Sequence, residues 1–210
     1  MTYSIVTMLS LWMVEISKVE INIPALTSRQ HAAKSLFMLC REHCKSVEML
    51  LAKGEGRQLS SALALLRPAL DALLRGCWVA KCMDDQSFEP YLKEETASWP
   101  GKKDLFCKLK PVLSPRMWRV LSEHSGLMNG DYHDFTHGGA QQILRYMRPD
   151  PSTRGAATRE ELKFVVSKVL SYDIYAAEFL CELVGDQDAL NAVHLTSLRL
   201  DLKSAFANAL

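Results

Sequence analysis

The chain has 210 residues, 48% hydrophobic and 23% charged, with 25 basic and 24 acidic side chains for a net charge of +1. That balance is ordinary for a soluble globule, and at this length a sizeable core needs no covalent staples. No global field is available to concentrate polyanions or anionic lipid, so only local patches are left for such contacts.

The N-terminal stretch is apolar over residues 4–19, but it lacks a basic leader region and a small-residue cleavage site. Glu15 and Lys18 interrupt it well short of a bilayer span. It reads as a buried or partner-facing helix, with no membrane contact and a cytoplasmic setting. Residues 1–25 form an N-terminal helix and linker, peripheral to a bundle core over 28–207. Pro24 ends this region and Thr27 or Ser28 caps the next helix, predicted over 28–52 and stopped by Gly54 and Gly56.

Residues 58–83 read as the central helix, with Leu59, Leu63, Leu66, Leu70, Leu73, Leu74 and Trp78 on a broad apolar face. Pro68 predicts a kink or break within it. Residues 84–114 read as one short helix followed by a loop that Trp99-Pro100 clamps to the bundle, with Lys102, Lys103, Lys108 and Lys110 as a solvated basic strip. Ser114-Pro115 starts a further helix.

The segment 122–139 is polar, glycine-rich and carries three histidines, and a short helix follows over 141–147. Thr158-x-x-Glu161 is a capping box opening a long helix that ends at Gly185, and Asp186 caps the last one. No alternation is long enough for a strand. The expectation is an all-α, single-domain chain over 1–210, one bundle of five to seven helices.

The cysteines at 40, 44, 77, 82, 107 and 181 include no CxxC, and three lie in apolar helical patterns, so they read as core thiols rather than disulfides. No metal or cofactor is expected from them.

Two constellations carry chemistry. Arg67, Asp71 and Arg75 are spaced by four, which stacks them on one face of the central helix. They form either that helix's narrow solvent face or a buried, paired network supporting a site, in which a guanidinium fork would suit phosphate. The second constellation is Asn129, Asp131, His133, Asp134 and His137, followed by Gly138-Gly139. His133 and His137 would share a helical face as a metal pair does; one imidazole could work as a general acid–base; or the histidines could bond the glycine turn and hold two helices together. His194, in an apolar helix, reads as a packing residue.

The stretches LRPALDALLRGCWVAKC at 66–82 and LSEHSGLMNGDYHDFTHGG at 121–139 resemble a group of bacterial helical proteins with an arginine–acid–arginine helix and a later Asn…His-Gly element. These are distantly similar to the HEPN superfamily of helical bundles, found in toxin and phage-defence ribonucleases. The resemblance implies a ribonuclease or toxin-type phosphodiester-cleaving protein in bacterial defence, acting on RNA, with homodimerisation. It places His137, Arg67, Arg75, Asp71, Asn129 and His133 in the site. Because no arginine lies between Asn129 and His137, the arginine of that site would come from the central helix, as Arg67 or Arg75. A non-catalytic helical interaction module with a protein partner, and a metal-dependent hydrolase using His133 and His137, are the alternatives.

Overall fold

A computed structural model describes residues 4–54, 58–93, 99–127, 147 and 157–200. Among them the chain is all-α, with no strand. The helices are α1 (Ile5–Ile16), α2 (Ser28–Lys53), α3 (Leu59–Cys82), α4 (Asp85–Lys93), α5 (Lys102–Leu109), α6 (Pro115–Leu127), α7 (Arg159–Val184) and α8 (Gln187–Arg199). Among the described residues there are eight helices, already more than the five to seven expected for the chain. The difference includes 84–114, where the expected loop contains α5. Leu105 and Leu109, four apart, are both buried, and that short apolar stripe seats α5 on the bundle.

The predicted start and stop signals act as their chemistry requires. Thr27 accepts from the Gln30 N–H while Gln30 reaches back to the Thr27 N–H, and Thr158 and Glu161 do the same for α7. Gly185 closes α7 at φ 72°, the left-handed region where glycine carries no Cβ penalty. Asp186 then caps α8 through the Ala189 N–H at 2.9 Å and also accepts from the Asn22 N–H at 2.8 Å. That second bond ties the linker after α1 to the C-terminal helix.

The core is built on α2, α3 and α7. α3 runs unbroken through Pro68. The missing donor and the ring clash cost a helix interior about 3 kcal/mol. Burial of Leu66, Ala69, Leu70 and Leu73, each 0% exposed, offsets that cost. The three helices meet at Phe37. Its ring stacks on Phe179 of α7 with centroids 5.6 Å apart and planes at 9°. On its α3 side it lies so close to Gly76 that a Cβ there would stand 2.6 Å from Phe37 Cε1. Glycine is what allows α2 and α3 to approach at this level.

α1 joins this core through Leu9, Trp12, Met13 and Ile16. Trp12 is 0% exposed, and its indole N–H donates to Asp173 Oδ2 of α7 at 2.8 Å. No helix among the described residues is long and apolar enough to cross a membrane.

Candidate functional site

Arg67, Asp71 and Arg75 project from α3 one turn apart, on the margin of the helix face that carries the buried leucines. All three are part-buried. Arg75 Nε donates to Asp71 Oδ2 at 2.7 Å, with the side chains 26% and 42% exposed respectively. The row therefore combines features of both readings of the sequence: it is paired, yet water reaches it.

The surroundings of Arg75 are aromatic. Its Cζ lies 5.0 Å from the centroid of Trp99, over the ring. Trp99 meets Trp78 edge-on at 5.8 Å and Tyr91 at 6.2 Å with a 50° tilt. Trp78 also meets Tyr91 edge-on at 5.7 Å, and Tyr91 stacks on Phe88 at 6.3 Å. Lys108 of α5 places Nζ 5.6 Å from the Trp78 centroid. Trp99 thus packs against the bundle through α3 and α4, and its backing includes the guanidinium of the candidate row. Trp78 is buried, and its indole N–H has no acceptor among the described residues.

Asn129, His133 and His137 lie outside the described residues, as do the glycine turn and the helix expected over 141–147 apart from Met147. Among the described residues no group of three or more His, Cys, Asp or Glu side chains is placed to hold a metal ion. Cys40, Cys44 and Cys77 are fully buried, and burial pushes the Cys44 and Cys77 thiols well up, which suits packing rather than nucleophilic or ligand roles.

Two polar networks escaped the sequence reading. The first surrounds Asp173, a carboxylate 1% exposed within α7. It accepts from Trp12 of α1 at 2.8 Å and from Arg41 Nε of α2 at 3.1 Å, so one buried charge joins three helices. Also between α1 and α2, Glu48 accepts from Ser10 at 2.5 Å. A lone aspartate in the apolar run VLSYDIYAAEFL was the available signal, because a charge in such a setting needs donors.

The second network joins α6, α7 and α8. His194, expected to pack, is about half exposed and lies 3.0 Å from Glu178 Oε1, whose side chain is only 15% exposed. Its helix buries a different stripe, Ala189, Val193 and Thr196, which turns His194 outward. Burial raises the Glu178 carboxyl, opposed by the charges of His194 and Arg116. Burial likewise raises Tyr175, while Arg116 and Arg119 of α6 act to lower it. A groove of about 880 Å³ between α1 and α8 is lined by Glu15, Lys18, Asp186 and Asp188 among others, and Arg67, Asp71 and Arg75 are not in its lining.

The match to known families covers residues 37–199, from α2 to the end of α8, and the chain belongs to the DUF6988 family, a family of unknown function. No curated protein and no solved structure matches it.

Proposed function

We propose that this DUF6988 member is a HEPN-like phosphodiester-cleaving protein of the toxin or phage-defence type, acting on RNA, with Arg75 and His137 as its working pair. The observation that carries the reading is the setting of Arg75. Asp71 holds its Nε at 2.7 Å and Trp99 flanks the guanidinium at 5.0 Å, so the cation is positioned before any ligand arrives. Asp71 engages Nε, and in this reading the terminal nitrogens meet two phosphate oxygens as a fork.

In this reading His137 takes the proton of a ribose 2′-hydroxyl. The 2′-oxygen forms a bond to phosphorus and the bond to the 5′-oxygen breaks, leaving a 2′,3′-cyclic phosphate and a 5′-hydroxyl end that takes up a proton. Arg75 neutralises charge gathered on the phosphoryl oxygens, and Arg67 one turn away from Asp71 supports the same phosphate. Asp71 orients Arg75, and Asn129 and His133 line the substrate side. Two copies in a homodimer would face each other across one cleft.

The test is cleavage of end-labelled single-stranded RNA by the purified full chain, with His137→Ala and Arg75→Ala alongside. The expected result is cyclic-phosphate ends from wild type and loss of about 100-fold or more in rate from either variant, the scale of removing an acid–base group or a charge-stabilising donor. Equal cleavage by wild type and His137→Ala would refute it.

A second reading, a non-catalytic interaction module with a protein partner, draws support from α8. Leu195 and Leu198, three apart on one face, are 60% and 51% exposed. An inactive wild type whose partner binding is abolished by Leu195→Glu would favour that reading instead.

A further inference from the structure

We propose that Trp99 is a stacking platform for one base of a single-stranded RNA, with the lysines of α5 following the adjoining phosphates. This deepens the RNA-cleaving reading and rests on it for the choice of ligand.

The argument starts from how Trp99 is held. Phe37 stacks on Phe179 at 9° and Phe88 on Tyr91 at 5°. Trp78 and Tyr91 instead meet Trp99 at 66° and 50°, so neither of these rings lies stacked on it. The contact over its ring among the described residues is the Arg75 guanidinium. Trp99 is 38% exposed, high for so large an apolar side chain beside a packed aromatic cluster. A ring held between inclined neighbours, backed by a cation and open to water has the form of a platform for a flat, electron-rich group. A nucleobase fits, because every base offers a π-face.

Charge supports the same ligand. The stretch 102–110 reads KKDLFCKLK, with four lysines against the single acid Asp104. Lys103, Lys108 and Lys110 are exposed, and Lys108 already reaches over Trp78, the ring against which Trp99 rests. Asp71, the acid paired with Arg75, is engaged by that guanidinium. An aromatic platform beside a basic strip is how single strands are bound without sequence preference.

Binding is measured on the full chain carrying His137→Ala, so that cleavage does not interfere. The probes are a short uridine-rich RNA and the same sugar–phosphate chain with abasic sites. Trp99→Ala is expected to weaken RNA binding about 5- to 150-fold, the range for one base–aromatic stack, and to weaken abasic binding far less, since Asp71 still holds Arg75. Trp99→Phe, which keeps a ring, is expected to recover most of the affinity, and it guards against loss of folding as the cause. Unchanged RNA affinity in Trp99→Ala, or equal losses on both probes, overturns the platform even if wild type cleaves RNA. Base-dependent binding through Trp99 with no cleavage by wild type upholds the platform and overturns the cleavage reading. Absence of any RNA binding overturns both.

Discussion

The Asp173 network makes the sharpest stability prediction. Arg41→Ala removes the cationic partner that a carboxylate 1% exposed has among the described residues, leaving the Trp12 indole N–H as its donor among those contacts. Breaking a buried ion pair from one side costs about 3–5 kcal/mol, because the remaining charge stays desolvated. The Arg41 side chain is 20% exposed, so water screens part of the attraction and the lower end, about 3 kcal/mol, applies. For a chain of this size that corresponds to a fall in Tm of about 6–12 °C. Urea unfolding followed by circular dichroism gives the free energy directly. The double variant Arg41→Met with Asp173→Asn should cost at least about 1 kcal/mol less than the two single changes added, since it strands no charge. A loss below about 1 kcal/mol for Arg41→Ala, or strict additivity, would show that the pair is not the joint between α1, α2 and α7 that its geometry implies.

Other positions give equally direct outcomes. Gly76→Ala should destabilise by about 1–3 kcal/mol, because its Cβ must displace the Phe37 ring from its stack on Phe179; a neutral effect in the same urea titration contradicts the close approach of α2 to α3. Iodoacetamide at pH 8 should label exposed Cys107 first, while Cys40, Cys44 and Cys77 stay protected in the folded chain and Cys181, pushed up to about 11, reacts slowly; peptide mapping that finds Cys77 labelled as fast as Cys107 speaks against their burial. Glu178 holds its proton in the fold to higher pH than its ordinary value of 4.5, chiefly through burial, so its contribution is fully present below that value and is lost as pH rises through the raised one. Wild type should therefore lose stability relative to Glu178→Gln over that window, and a difference constant with pH is the contrary result.

The parts of the fold that were legible are those encoded by neighbours in sequence. Thr27, Thr158, Gly185 and Asp186 mark helix ends because their side chains or backbone conformations act on residues within a turn. The central helix was legible for the same reason, since a leucine every third or fourth position needs no tertiary information. The Asp173 network was not legible, because its donors stand 132 and 161 positions away. His194 was misplaced because a mean apolar character does not fix which stripe faces inward, and α8 buries Ala189 and Val193 while leaving Leu195 and Leu198 outside. The pairing of Arg75 with Asp71 follows from spacing alone, whereas the Trp99 ring over that guanidinium depends on how the chain returns after α4.

The phosphate-binding role proposed for Arg75 suits its place on α3. A charge that is to act without moving needs a support that does not yield. α3 is closely enclosed here: Phe37 presses on it at Gly76, one residue after Arg75, and Trp78 is wedged against Tyr91 and Trp99 three residues on. Each of these contacts fixes the helix turn that carries the guanidinium, so its direction is set by the core and not by its own rotamers. The Asp71 carboxylate and the Trp99 ring then fix the side chain itself. The Gly76→Ala variant consequently tests more than stability. If the core positions Arg75, a folded Gly76→Ala protein should lose RNA cleavage out of proportion to its loss of stability, at temperatures where it remains fully folded.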